Sequence, residues 1–242
     1  MVALTEAELL TVWAAGRGQG RVGRALVLAE AGGADPASSL DLSIGQRAGF
    51  ALALREECFG ATFPCAVTCP SCAEELEIDL TVDDIRVPAA MAAGATAVTR
   101  IDRGGIEVEF RPVTSRDLLA VREEAGTVRR KLICRCVTRA TKGGTTVAVD
   151  ELSDDVLDAV SSALAARDPQ ADVLLDLDCV SCGHEWQSPF DITDYLWNEV
   201  ETCARRLVHE VHALAGAYGW SEDQVLAVAP DRRQCYLELV TP

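Results

Sequence analysis

The chain has 242 residues, of which 49% are apolar and 5% aromatic. That supports cores built from Ala, Leu and Val and argues against global disorder. Its 22 Lys and Arg stand against 38 Asp and Glu, a net charge of −16, so the surface repels phosphates and disfavours general nucleic-acid binding.

Residues 5–16 read as a helix opened by Thr5, with Leu9, Leu10 and Trp13 as its apolar stripe and Gly16, Gly18 and Gly20 breaking it. A second helix runs from about Val22 to Glu30 and ends at Gly32-Gly33. Ser43-Ile44-Gly45-Gln46 is a capping box; it opens a helix carrying Phe50, Leu52, Leu54 and Cys58 that stops at Gly60. From Thr62 the period changes to two. Phe63, Cys65 and Val67 share one strand face, and Leu76, Ile78 and Leu80 then alternate with Glu75, Glu77 and Asp79. Pro88–Ala97 is Ala-rich and carries no clear signal. Ile106, Val108 and Phe110 predict a strand, and Thr114–Asp117 caps a helix through about Glu124. Residues 127–140 fit a helix or a strand. Gly143-Gly144 is a turn, Thr145–Val149 is strand-like, and Ser153 caps a helix to about Ala166.

Val173, Leu175 and Leu177 begin a second alternating unit, with Trp186 and Phe190 on its return strand. The two units match in plan, a weak internal repeat. Leu196, Val200, Cys203, Leu207, Val211, Leu214 and Tyr218 then recur at steps of four and three, a helix of about seven turns and roughly 40 Å. Gly219 ends it. Ser221–Gln224 is a further capping box, with Trp220 and Val225 placed as a hydrophobic staple, and a last helix covers Arg232–Val240.

Each alternating unit holds a Cys-x-x-Cys knuckle, Cys69-Pro70-Ser71-Cys72 in the first and Cys179-Val180-Ser181-Cys182 in the second. The two-residue spacer lets the chain turn so that both sulfurs face one ion. Four thiolates complete a tetrahedral structural Zn2+ site, one ion per chain, with no position left for a catalytic water. His184 is the alternative ligand, and Cys65, close to the first knuckle, has no settled role. A redox reading would want the motif at a helix N-terminus after a buried strand, whereas Glu74-Glu75 and Gly183-His184 follow these pairs. Cys58, Cys134, Cys136, Cys203 and Cys235 fit apolar helical patterns as small core residues.

No apolar run reaches the ~20 residues that cross a bilayer, and Met1–Glu6 lacks an export signal. A cytoplasmic chain without membrane insertion is therefore expected. His209 and His212 stand three apart on the long helix without the spacing of a metalloprotease. Asp154, Asp155 and Asp158 make an acidic helix start that the helix dipole favours. No phosphate loop, nucleophile elbow or dinucleotide fingerprint occurs. Arg129, Arg130 and Lys131 form a small local basic patch; a rival reading, a zinc-ribbon nucleic-acid- or transcription-associated adaptor, would need a basic face.

The C-terminal segment His209–Ala215, Tyr218–Glu222, Val225-Leu226, Arg232-Arg233 and Tyr236–Val240 resembles baseplate proteins of contractile phage tails and phage-tail-like contractile injection systems, the group labelled baseplate hub assembly chaperones. Asp168–Asp172, the second knuckle with Trp186, Phe190 and Asp191, Pro64–Cys72 and Arg111–Thr114 are similar to that group too. The resemblance implies a non-enzymatic structural or assembly role beside other baseplate, hub or spike proteins, possible incorporation into a tail-like particle, and no catalytic residues. Trp220, Tyr236 and Leu237 are the expected partner-binding anchors. The expected fold is α+β. Residues 1–60 form a helical unit, 61–82 and 171–191 two halves of a zinc ribbon, 83–170 an inserted α+β segment, and 192–242 a long helix plus two short ones.

Overall fold

The computed structural model describes residues 3–88, 98–121 and 128–240. The Ala-rich stretch 89–97 and the expected helix end at Glu124 lie outside the described residues. Thr5 opens α1 (Glu6–Gly16) with a capping box shared with Glu8. After α2 (Arg21–Ala31), Ser43 and Gln46 cap α3 (Ile44–Phe59) as expected, Ser43 Oγ accepting from the Gln46 amide at 3.1 Å. The first hairpin is β1 (Thr62–Thr68) with β2 (Glu75–Thr81), followed by the single turn α4 (Val82–Ile85).

The inserted segment forms a four-stranded antiparallel sheet in chain order. Its strands are β3 (Thr99–Arg103), β4 (Ile106–Phe110), β5 (Val137–Lys142) and β6 (Thr145–Thr146), with α5 (Ser115–Val121) and α6 (Val128–Cys136) between β4 and β5. The ambiguous stretch 127–140 is thus helix and strand in succession. Two expectations fail here. The strand expected over Thr145–Val149 is shorter: β6 covers Thr145–Thr146, the Val147 amide still donates to Ala140 O at 2.9 Å, and Val149–Glu151 turns into 3-10 helix. Ser153 precedes α7 (Asp154–Arg167) in extended conformation, but its side chain makes no capping bond. The second hairpin, β7 (Val173–Asp178) with β8 (Glu185–Phe190), leads into α8 (Ile192–Tyr218). Gly219 ends α8 in the left-handed conformation at φ 71°, and α9 (Glu222–Leu226) and α10 (Pro230–Val240) complete the chain.

Three cores hold these elements. In the first, Leu9, Leu10, Leu28, Ala51 and Leu54 meet Leu196, Trp197, Val200, Ala204 and Leu207. The N-terminal helices therefore close their core only with α8, from the other end of the chain. Gly16 is part of that fit, since a Cβ there would run into the Trp197 ring. The second core packs Val108, Phe110, Ile133, Cys136 and Ala140 against Val156, Leu157 and Val160 of α7. In the third, Ala48 and Leu52 of α3 meet Phe63, Val82, Ile85 and Ile192. Each fully buried Leu, Ile or Phe contributes about 1.5–3 kcal/mol of transfer free energy, so this third cluster anchors both hairpins at their base.

Candidate metal centre

The hairpins are built alike. β1 and β2 pair from Thr62↔Thr81 at the base to Thr68↔Glu75 beside the knuckle; β7 and β8 pair from Val173↔Phe190 to Asp178↔Glu185. At the first tip the Cys69 amide donates to Glu74 O at 2.8 Å and the Ala73 amide to Cys69 O at 3.0 Å. At the second, Cys179 donates to His184 O at 2.9 Å and Gly183 to Cys179 O at 2.7 Å. The residue after the second cysteine is left-handed in both, Ala73 at φ 60° and Gly183 at φ 68°.

These turns bring the four sulfurs together across the molecule. Cys69 Sγ lies 3.8 Å from Cys182 Sγ, Cys72 Sγ lies 3.6 Å from Cys179 Sγ, and all four fall within 4.8 Å of one another. A tetrahedral ion with metal–sulfur bonds of about 2.3 Å sets sulfur–sulfur edges of about 3.8 Å; a disulfide requires about 2.05 Å. All four cysteines are free, with Cys69 and Cys179 buried and Cys72 and Cys182 exposed. The spacing and the soft four-sulfur donor set fit a single tetrahedral metal. Burial pushes the Cys69 thiol up, but the Cys72 and Ser71 amides and the neighbouring thiols bring it down to about 7. The Glu74 amide draws Cys72 down, yet hydrogen bonding among the thiols carries it up to about 12.

His184 is outside this group of four; its ring stacks on Trp186 at 6.0 Å. Cys65 is also outside it, half-buried against the third core, with burial raising its thiol. At the hairpin base, Phe63, Phe190 and Tyr195 pack ring to ring at 5.3–5.9 Å, and Tyr195 donates to Pro64 O at 3.0 Å. The two hairpins are thus joined by aromatic packing at one end and meet through the cysteines at the other.

Sequence reasoning missed the buried charges around this frame. Arg55, 2% exposed, stacks over Phe63 at 3.9 Å and grips Glu199 of α8 at 2.9 and 3.1 Å. Arg233, also 2% exposed, makes a bidentate pair with Glu6 at 2.6 and 2.8 Å and reaches Glu210 at 2.7 Å, tying α10 to both α1 and α8. Asp117, fully buried, receives Arg111 at 2.6 and 2.9 Å, Arg135 at 3.2 Å and Thr114. Helical spacing around Arg55 is the one available signal, since that cation falls among the buried positions of α3, whereas Arg233 is the one buried residue of α10.

The remaining expected residues take quieter places. His209 and His212 are exposed on α8. Trp220 lies 4.9 Å from Tyr218 and 5.1 Å from Tyr236, ring to ring, and Leu237 is half-buried nearby on α10. Val225, its expected staple partner, is fully buried. The basic patch is offset: Arg129 pairs with Asp158 and Arg130 with Asp154, each at 2.8 Å. The acidic start of α7 thus serves these ion pairs as well as the helix dipole.

Two alike hairpins, packed together at an aromatic base and meeting at four free cysteines, define an α+β protein whose site is able to hold a metal ion. The family described as T4 bacteriophage base plate protein matches residues 27–197, and the chain belongs to that family. The matched span includes both knuckles and ends within α8, so the C-terminal signature at residues 209–240 lies beyond it. No curated protein and no solved structure matches. No helix of the described residues is long and apolar enough to cross a membrane.

Proposed function

We propose that the chain is a non-enzymatic structural or assembly component of the baseplate of a contractile, phage-tail-like injection particle, and that Cys69, Cys72, Cys179 and Cys182 hold one structural Zn2+. Family membership supports the baseplate role. The observation that carries the metal is the four-sulfur cluster, with edges near those of a zinc–thiolate tetrahedron. Bound there, zinc would supply a closed coordination shell and a covalent-like link between distant segments. The chain's own part is to aim the sulfurs through the two knuckle turns and to brace the hairpins at Phe63, Phe190 and Tyr195.

The surface proposed to dock on neighbouring baseplate, hub or spike proteins is the end of α8 with α9 and α10, centred on Trp220, Tyr236 and Leu237, because aromatic residues dominate interface energetics. Cutting the chain before Trp220 is a poor test of it, since Val225 and Arg233 are buried parts of the helical layer. The double substitution Trp220→Ala with Tyr236→Ala is cleaner. In cells producing the particle, it is expected to lower incorporation or assembly, seen by electron microscopy, while purified chain keeps one zinc by elemental analysis. Normal particles from that variant would overturn the docking surface. Two zinc ions per chain, or none, would overturn the shared site.

A further inference from the structure

The acidic balance of this chain is concentrated in the hairpins. Residues 61–85 and 168–191 hold twelve Asp and Glu and no Lys or Arg, although the whole chain has a net charge of −16. Glu75, Glu77 and Asp79 point outward along β2, and Asp176, Asp178 and Glu185 along β7 and β8, all exposed. Among the described residues none of these six is in an ion pair, whereas the acidic start of α7 is met by Arg103, Arg129 and Arg130.

Two further features set this face apart. Asp178 and Glu185 are direct cross-strand partners, and like charges placed opposite each other destabilise a sheet. Among the described residues no ion pair offsets that cost. Beside them, at the tip, Val180 is 86% exposed, and Leu174 on the same hairpin is 48% exposed. An apolar point within an acidic field is the pattern of an interface with a small desolvated centre and a charged rim. Phosphate-bearing partners and anionic membranes are repelled by such a face.

We propose that the outward face of the paired hairpins docks a Lys- and Arg-rich protein surface, with Val180 entering a shallow apolar socket at its centre. This rests on the baseplate reading and adds the chemistry of one neighbour. The hairpin pair acts as an electrostatic peg: charge steers the encounter, and the tip fixes its position.

The test uses the full chain, tagged and produced together with its particle's other tail proteins. It compares wild type with the variant Glu75→Gln, Glu77→Gln, Asp79→Asn, Asp176→Asn, and with Val180→Ser. Zinc content and melting temperature are first shown to be unchanged in each. Zero-length carbodiimide coupling of the wild-type complex is expected to join the hairpin carboxylates to lysines of a tail protein. With that protein as probe, the four-site variant is expected to associate about 10- to 100-fold more slowly and with a flatter dependence on salt. Val180→Ser is expected to speed dissociation and leave the salt dependence alone. If wild type and the four-site variant hold the same tail proteins to the same salt concentration, or if coupling maps away from the hairpins, the docking face is wrong and the baseplate reading stands. If wild type holds no tail protein at all, both fall.

Discussion

Removing the metal, by chelation or by Cys72→Ser, should separate what the cysteines contribute from what the aromatic base contributes. A bond through one ion between Cys72 and Cys179 closes a loop of 107 residues. Closing a loop of about 100 residues by a covalent cross-link removes unfolded-state entropy equivalent to about 4.7 kcal/mol. Packing of Phe63, Phe190 and Tyr195 already holds the bases together in the native state, so local opening of the tips should be much easier than global unfolding. Taking about 3–5 kcal/mol for the whole clamp, a chain of this size should lose about 6–20 °C in melting temperature. The assay is calorimetry at pH 7 on metal-replete and metal-stripped protein, with a reductant present throughout, because thiols this close can otherwise oxidise and replace one cross-link with another. Hydrogen exchange should rise first at residues 69–75 and 179–185, while residues near Phe63 and Ile192 remain protected. Because the ligating thiols must lose protons, metal affinity should fall as the pH is lowered. A melting temperature unmoved by metal removal, or loss of protection at the base before the tips, would refute the clamp.

Arg233→Met should leave the half-buried Glu6 without its cation and Glu210 with only Arg206 at 3.6 Å, at a cost of roughly 2–4 kcal/mol in urea unfolding; Arg233→Met combined with Glu6→Gln and Glu210→Gln should recover most of it. Ala73→Gly should stabilise the chain by about 0.5–1 kcal/mol, because its left-handed φ of 60° strains any residue with a Cβ, and Gly183→Ala should cost a similar amount. Both variants should keep their metal by elemental analysis. Burial pushes Asp117 up, but the bonds from Arg111 and Thr114 outweigh it and hold the carboxyl down at about 2. The folded value lies below the ordinary one of 3.8, so its contribution is complete above pH 4 and is lost as the pH falls through 2. Asp117→Asn should therefore lower neutral-pH stability by roughly 2–4 kcal/mol, the partly exposed arginines moderating the full cost of a broken buried pair. It should also flatten the acid limb of the stability curve between pH 4 and 2.

Several elements were legible because their causes are local. Ser43 with Gln46 and Ser221 with Gln224 satisfy helix-end amides within three residues, both expected capping boxes form, and Thr5 opens α1 as expected. Alternation in 62–68, 75–81, 106–110 and 173–178 matches the strands seen there. Where the cause is distant, the reading weakened. Residues 127–140 gave no single period because the segment changes from α6 to β5, and the sheet partner that makes β5 a strand is β4, some thirty residues earlier. Ser153 has a capping residue's identity, yet identity alone does not make the bond.

From its residues alone, the chain determines two cysteine turns of matching geometry, the register of polar and apolar faces in each hairpin, and a long amphipathic helix. These depend on bond lengths, side-chain spacing and contacts within one turn or one strand. Only the tertiary structure decides that the two knuckles meet at one point, that α8 completes the core of α1–α3, and that Arg55, Arg233 and Asp117 are taken out of water. Those outcomes are set by packing between segments up to 227 residues apart, where the free energy of burying a charge depends on which opposite charge the fold brings beside it.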